Sequence, residues 1–153
     1  MLKIPFISKK EFFSPIEKNQ IVAAIKEAER QTSGEIRVYI ESHCRFVDAL
    51  DRAAEVFTFL KMKETIGHNA VLVYVATKDR QLAVFGDQAI HEKVGEVFWA
   101  EKVKHMLTHF RQEGCASAIV KVVLDIGTAL KSHFPYDRQT DINELPDDIV
   151  FGR

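Results

Sequence analysis

Apolar positions in this chain recur with three different spacings, and the spacing changes mark the elements. From residue 15 onward, Ile21, Val22, Ile25 and Ala28 fall on one face at helical spacing, with Lys18, Lys26, Glu27 and Arg30 opposite. Ser14 can cap this helix, Pro15 suits its first position, Glu17 completes a capping box, and Gly34 is placed to end it. The spacing then switches to two. Ile36, Val38 and Ile40 alternate with Arg37, Tyr39 and Glu41, which predicts a half-covered strand over 35–41, nearer an edge of its sheet. Helical spacing returns after Asp48, a cap, with Leu50, Ala53, Ala54, Phe57 and Leu60 on the inner face.

The third spacing is no spacing at all. Residues 70–76 read AVLVYVA, apolar throughout, as in a strand covered on both faces. Thr77-Lys78-Asp79-Arg80 is a link of hairpin length, and Leu82 to Phe85 forms the returning strand. Strand, helix, strand over 35–76 has the length of a parallel crossover, which is almost always right-handed. Residues 87–99 predict a loop or short helical turn. A helix follows over about 96–112, with Val97, Phe98, Val103, Leu107 and Phe110 inward and Gly114 as its stop. The last helix, about 117–133, buries Ile119, Val122, Val123, Ile126 and Leu130, and Pro135 bars its continuation. Together these predict an α/β fold, a three-layer α/β/α sandwich with a small mixed β-sheet flanked by helices. Residues 1–13 form a lead-in, 14–134 the domain, and 135–153 an acidic tail without regular structure. Leu145, Ile149 and Val150 of that tail can dock on the body.

Composition narrows the function classes. A chain of 153 residues with a formal net charge of −1 suits one domain with a real core and offers no nucleic-acid surface. No apolar run reaches the ~20 residues of a membrane helix, and the N-terminus lacks the apolar stretch of a signal peptide. The expectation is a cytoplasmic protein with Cys44 and Cys115 as reduced thiols and no membrane insertion. There is no internal repeat.

The chemistry follows from strand direction. If 36–41 and 71–76 run parallel and 82–85 runs back, Glu35, His68, Asn69, Gly86 and Asp87 meet at one rim, with His91 and Glu92 close behind. Glu35, Asn69, Asp87 and Glu92 offer oxygen donors for a hard cation, calcium or another divalent ion. His68 and His91 suit acid–base work better. A catalytic version of the rim would use Asp87, His91 and His68, with metal or Lys93 to stabilise charge. Each residue also has a plain structural role open to it: Asp87 as a helix cap, Asn69 as a turn residue, Glu35 at a helix end. At the opposite rim lie Glu41, Ser42, His43 and the turn Lys78-Asp79-Arg80, which reads as turn chemistry. His105 and His109 share a helix face, but no third ligand or zincin glutamate accompanies them. Trp99, Phe98 and Phe110 form a core stripe.

The segments SGEIRVYI at 33–40 and HNAVLVYVATKDRQLAVFGDQAIHEKVG at 68–95, with the final helix led by Gly114, resemble the TPM domain family over about residues 17–133. Many relatives carry Asp-Asn-Gly where this chain has His68-Asn69-Ala70, and Gly-Tyr-Gly near Phe85-Gly86-Asp87. The resemblance implies calcium binding, acid phosphatase activity on phosphomonoesters, or a part in assembling membrane complexes. The combined expectation is a divalent-cation-binding and protein-interaction module, its partner meeting the sandwich surface or the acidic tail. A metal-assisted phosphatase at the same rim is the alternative.

Overall fold

Ser14 opens the first helix as its sequence predicts. Its hydroxyl accepts from the Glu17 amide at 3.1 Å, and the Glu17 carboxylate accepts from the Ser14 amide at 2.9 Å. The structure is a computed structural model that describes residues 12–45, 48–136 and 148–152. Helix α1, Pro15–Glu29, buries Ile21, Ala24, Ile25 and Ala28. It ends at Glu29 rather than running to Gly34. The Glu29 carboxylate instead accepts from the Ile36 amide at 2.7 Å, so the helix end and the first strand are tied directly.

Among the described residues four strands form one mixed sheet in the order β3-β2-β1-β4. They are β1 (Glu35–Glu41), β2 (Ala70–Ala76), β3 (Gln81–Gly86) and β4 (Ile149–Phe151). β1 and β2 are parallel, β3 returns antiparallel to β2, and β4 lies parallel to β1. Helix α2 (Ala49–Phe59), capped by Asp48 as predicted, makes the crossover between β1 and β2. A short 3₁₀ turn at Met62–Glu64 follows it.

Two expectations about β1 and the tail are corrected together. The strand is not half-covered, because all seven of its residues are buried, and it lies one strand in from the edge, next to β4. Residues 149–151 are not irregular tail but the strand that covers its outer side. Ile36, Val38 and Ile40 enter an aliphatic layer with Val71, Val73, Val75, Val84 and the helices of one face. Tyr39 joins Leu72, Tyr74, Phe57 and Met62 in a second core on the α2 side. The alternation is real, but its polar members are buried too. Residues 1–11 and Leu145 lie outside the described residues.

The segment after β3 is also corrected. Helix α3 begins at Gln88, not near Glu96, because Asp87 caps it. It runs to Glu113 with a break at Gly95, whose φ of 79° and ψ of 171° are not helical. That break hides the helix in the sequence, since it resets the phase of the apolar stripe between the two halves. Val97, expected inward, is 72% exposed for the same reason, while Phe98, Val103, Leu107 and Phe110 do pack on the core. Leu50, also expected inward, is half-exposed. Helix α4, Cys115–His133, buries the five apolar residues expected of it. Helices α1, α3 and α4 thus cover one face and α2 the other.

Candidate functional site

Strand register builds the rim. Glu35 pairs with Ala70, and Val71 pairs with Gly86. The ladder continues one step further, as the Asp87 amide donates to the Ala70 carbonyl at 2.9 Å. Glu35, Asn69 and Asp87, which are distant in sequence, therefore stand at the same end of the sheet. The His68 carbonyl accepts from the Ala89 amide at 3.0 Å, which seats the first turn of α3 against the turn before β2.

Asp87 is 7% exposed. Its Oδ1 accepts from the Gln88 amide at 2.7 Å, the cap of α3. Its Oδ2 is buried and has no hydrogen-bond partner among the described residues. The His68 Nδ1 is an ion-pair distance away, 3.6 Å from that oxygen. His68 holds a positive φ of 49°, uncommon for a residue other than glycine, and its side chain is exposed. Asn69 is buried and its amide donates to the Ser33 hydroxyl at 3.3 Å. The hydroxyl of Thr65, in the same turn, is a second buried polar atom without a partner.

The other expected residues are engaged elsewhere. The Glu35 carboxylate is buried and acts electrostatically on Arg37, its neighbour on the same strand face. Burial lowers the Arg37 pKa, and Asp148 and Glu35 oppose that shift. The His91 Nδ1 accepts from the Trp99 indole at 3.0 Å. Trp99 in turn packs on Gly86, where a Cβ would lie 2.3 Å from the ring. Glu92 accepts from the Gln88 amide group at 3.2 Å on the exposed side of α3. Among the described residues no three His, Cys, Asp or Glu side chains group closely enough to hold a metal ion. This covers the His105–His109 pair as well, although His109 Nδ1 is buried without a partner.

The opposite rim holds a network that the sequence reading missed. The buried Glu41 carboxylate accepts from Arg52 twice, at 2.8 and 2.9 Å, and from the Tyr74 hydroxyl. The Arg52 guanidinium also reaches Glu55 and lies 5.9 Å from the Tyr39 ring centroid. Burial pushes the Glu41 carboxyl up, but the Arg52 and Tyr74 hydrogen bonds outweigh it and hold the carboxyl below its usual range. Burial, then the bond to Glu41, pushes the Tyr74 hydroxyl up. Asp79 accepts from the Cys44 amide at 2.7 Å and meets His43 Nδ1 at 2.9 Å, so it ties the hairpin turn to the end of β1. One signal was available: Glu41 closes a strand whose partner strand carries Tyr74, and Arg52 lies on the crossover helix that returns over both.

Of the expected ligand set, then, the structure brings Glu35, Asn69 and Asp87 to one end of the sheet beside His68 and leaves Glu92 paired with Gln88 on the exposed side of α3. Among the described residues this rim is not a preformed cage. No helix among the described residues is long and apolar enough to cross a membrane.

A model of the TPM domain matches residues 7–129. Among solved structures, the chain is 38% identical to the BA42 protein of the psychrophilic bacterium Bizionia argentinensis, solved by NMR. That match covers 99% of this chain and 100% of BA42, with a TM-score of 0.85. It also shares its fold with the N-terminal domain of the cg2496 protein of Corynebacterium glutamicum, at 14% identity, a TM-score of 0.62, and coverage of 92% of this chain and 81% of that one. No relative was found among curated proteins. The SGEIRVYI strand, the central hairpin and the helix led by Gly114 are thus those of a TPM domain, and the chain belongs to that family.

Proposed function

We propose that this TPM domain is a binding module whose rim takes a divalent cation, calcium in the first instance, with Asp87 as anchor. The observation that carries it is the buried Asp87 Oδ2 without a hydrogen-bond partner. A buried acceptor left unsatisfied costs about 1–3 kcal/mol, more when charged, so this oxygen favours a cationic guest. Asn69, at the same end of the sheet, offers a neutral amide oxygen. A hard cation held by one carboxylate keeps most of its water, which points to weak binding, on the order of millimolar. Glu35 and Glu92 would serve as outer charges that raise the local cation concentration.

A metal-assisted phosphatase at this rim would use Asp87 as nucleophile or ligand and His91 or His68 as general acid, and the His91 Nδ1 already accepts from the Trp99 indole. Asp87 is buried and one of its oxygens is committed to the α3 cap, which supports binding over catalysis.

The test is calorimetric titration of the protein with calcium and magnesium, beside Asp87→Asn. At ten times Kd the cation should add about 1.4 kcal/mol of stability to the wild type. Asp87→Asn, whose amide oxygen can still cap α3, should fold and lose that response. No heat and no shift of the thermal midpoint at ~10 mM cation, or an unchanged response in Asp87→Asn, would refute the assignment. Hydrolysis of a generic phosphomonoester above the Asp87→Asn background would restore the enzyme alternative.

A further inference from the structure

The outer edge of β1 is held by a strand of only three residues, yet each position around it meets a distinct complement. Ile149 pairs with Val38 and packs into the aliphatic layer. Val150 pairs with Tyr39 and packs into the core on the α2 side. Phe151 pairs with Ile40 and stays half-exposed, with the Lys18 ammonium 5.4 Å from its ring centroid. Ahead of them, the Asp148 carboxylate acts on the Arg37 guanidinium, which is 9% exposed and whose Nε has no hydrogen-bond partner. Behind them, the Gly152 amide donates to the Ile40 carbonyl at 2.7 Å. A Cβ on Gly152 would lie 2.1 Å from the Tyr39 hydroxyl oxygen, so any side chain there must displace the buried Tyr39 ring or the strand itself.

Four consecutive positions are therefore read as aliphatic, aliphatic, aromatic, glycine, behind an acid whose charge acts on Arg37. Main-chain pairing at a sheet edge with pockets for alternate side chains is how proteins recognise extended peptides by strand addition. Here the site is filled by the chain itself, through an element with three ladder pairs and no fully buried side chain. Elements of that kind open at free energies well below global unfolding. We propose that the outer edge of β1 is an exchangeable strand-addition site that accepts residues 148–152 of a second copy of this chain in place of its own. The attached segment competes at an effective concentration of roughly millimolar, so exchange emerges near that protein concentration or when the attached segment is displaced. Reciprocal exchange fills both sites and closes a two-fold pair.

The experiment uses full-length protein carrying Gly152→Val and a fluorescent, end-blocked peptide, Asp-Ile-Val-Phe-Gly. Valine at 152 ejects the attached strand, so this variant should bind the peptide roughly tenfold or more tighter than wild type. The same peptide with valine for its glycine should not bind. A variant that keeps the wild-type circular dichroism and shows no rise in peptide anisotropy overturns the proposal, as does equal binding of both peptides. If the variant does not fold, hydrogen exchange on the wild type decides. The Gly152 amide should exchange on the order of 100-fold faster than the amides of the β1–β2 ladder, and equal protection overturns the proposal. Sedimentation of wild type near ~1 mM should then show a dimer that the peptide dissolves. A monomer only, or a dimer indifferent to the peptide, overturns it.

Discussion

Replacing Arg52 by alanine would remove two of the three hydrogen bonds that hold the Glu41 carboxylate. The Glu41 side chain is 6% exposed, so water replaces little of what is lost. Breaking a buried ion pair by deleting one partner costs about 3–5 kcal/mol, because the remaining charge is stranded. The lower end applies here, about 3 kcal/mol, since the Tyr74 hydroxyl still donates and the space left by Arg52 opens toward solvent. Against a typical domain stability of about 5–15 kcal/mol, that is a large fraction. Urea unfolding followed by circular dichroism at pH 7 measures it. Glu41→Gln combined with Arg52→Ala removes the stranded charge and keeps an acceptor for Tyr74, so the double variant should recover more than half of the loss. The pH dependence has a definite sign. The wild-type carboxyl is held below its ordinary value of 4.5, so its contribution is complete above 4.5 and is lost as the pH falls through the lowered folded value. In Arg52→Ala burial acts with less opposition and raises the carboxyl instead, so that variant gains stability as the pH falls toward 4.5 from above. The gap between the two proteins must narrow on both sides of 4.5. A single-variant cost below about 1 kcal/mol, or a double variant no more stable than the single, would refute the role given to this pair.

Gly95 adopts φ 79° and ψ 171° with open space around it, so Gly95→Ala should cost about 1–3 kcal/mol from backbone strain alone, and Gly95→Asn should do no better, as that region of backbone space is essentially reserved for glycine; thermal unfolding of both variants checks this. Burial pushes the Cys115 thiol up to about 12, whereas Cys44 is partly exposed. A disulfide-exchange reagent at pH 8 should therefore titrate one thiol quickly in the native protein and the second only on unfolding. Two fast thiols would show that α4 does not seal Cys115.

What could be read from the chain before its structure followed from local rules. The capping box at Ser14, the Asp48 cap, the unbroken apolar run of β2 and the hairpin link at 77–80 each depend on neighbours in sequence, and each stands as read. From strand direction alone, the meeting of Glu35, Asn69 and Asp87 at one rim followed as well. What escaped depends on contacts between distant segments. β4 is three residues that look like tail until β1 is there to pair with them. The burial of Glu41 cannot be inferred from its polarity, because its partners, Arg52 and Tyr74, come from other elements, and nothing local marks Arg37 as buried. Residues 88–95 looked irregular because Gly95 interrupts the helical period, although Asp87 already announced a helix start. The pairing of Glu92 with Gln88, which takes it out of the shared rim, was likewise beyond any sequence pattern.

The row of buried polar residues on β1 has a consequence for how the sheet aligns. Side chains along a strand alternate strictly, so sliding β1 by one residue would drive Glu35, Arg37 and Glu41 among the aliphatic side chains beneath α1 and α4. Glu41 would be stranded there without its partners, at a cost of several kcal/mol. In the observed alignment it keeps Arg52 and Tyr74. These charges do less to hold the native state together than to make its nearest misaligned competitor unaffordable.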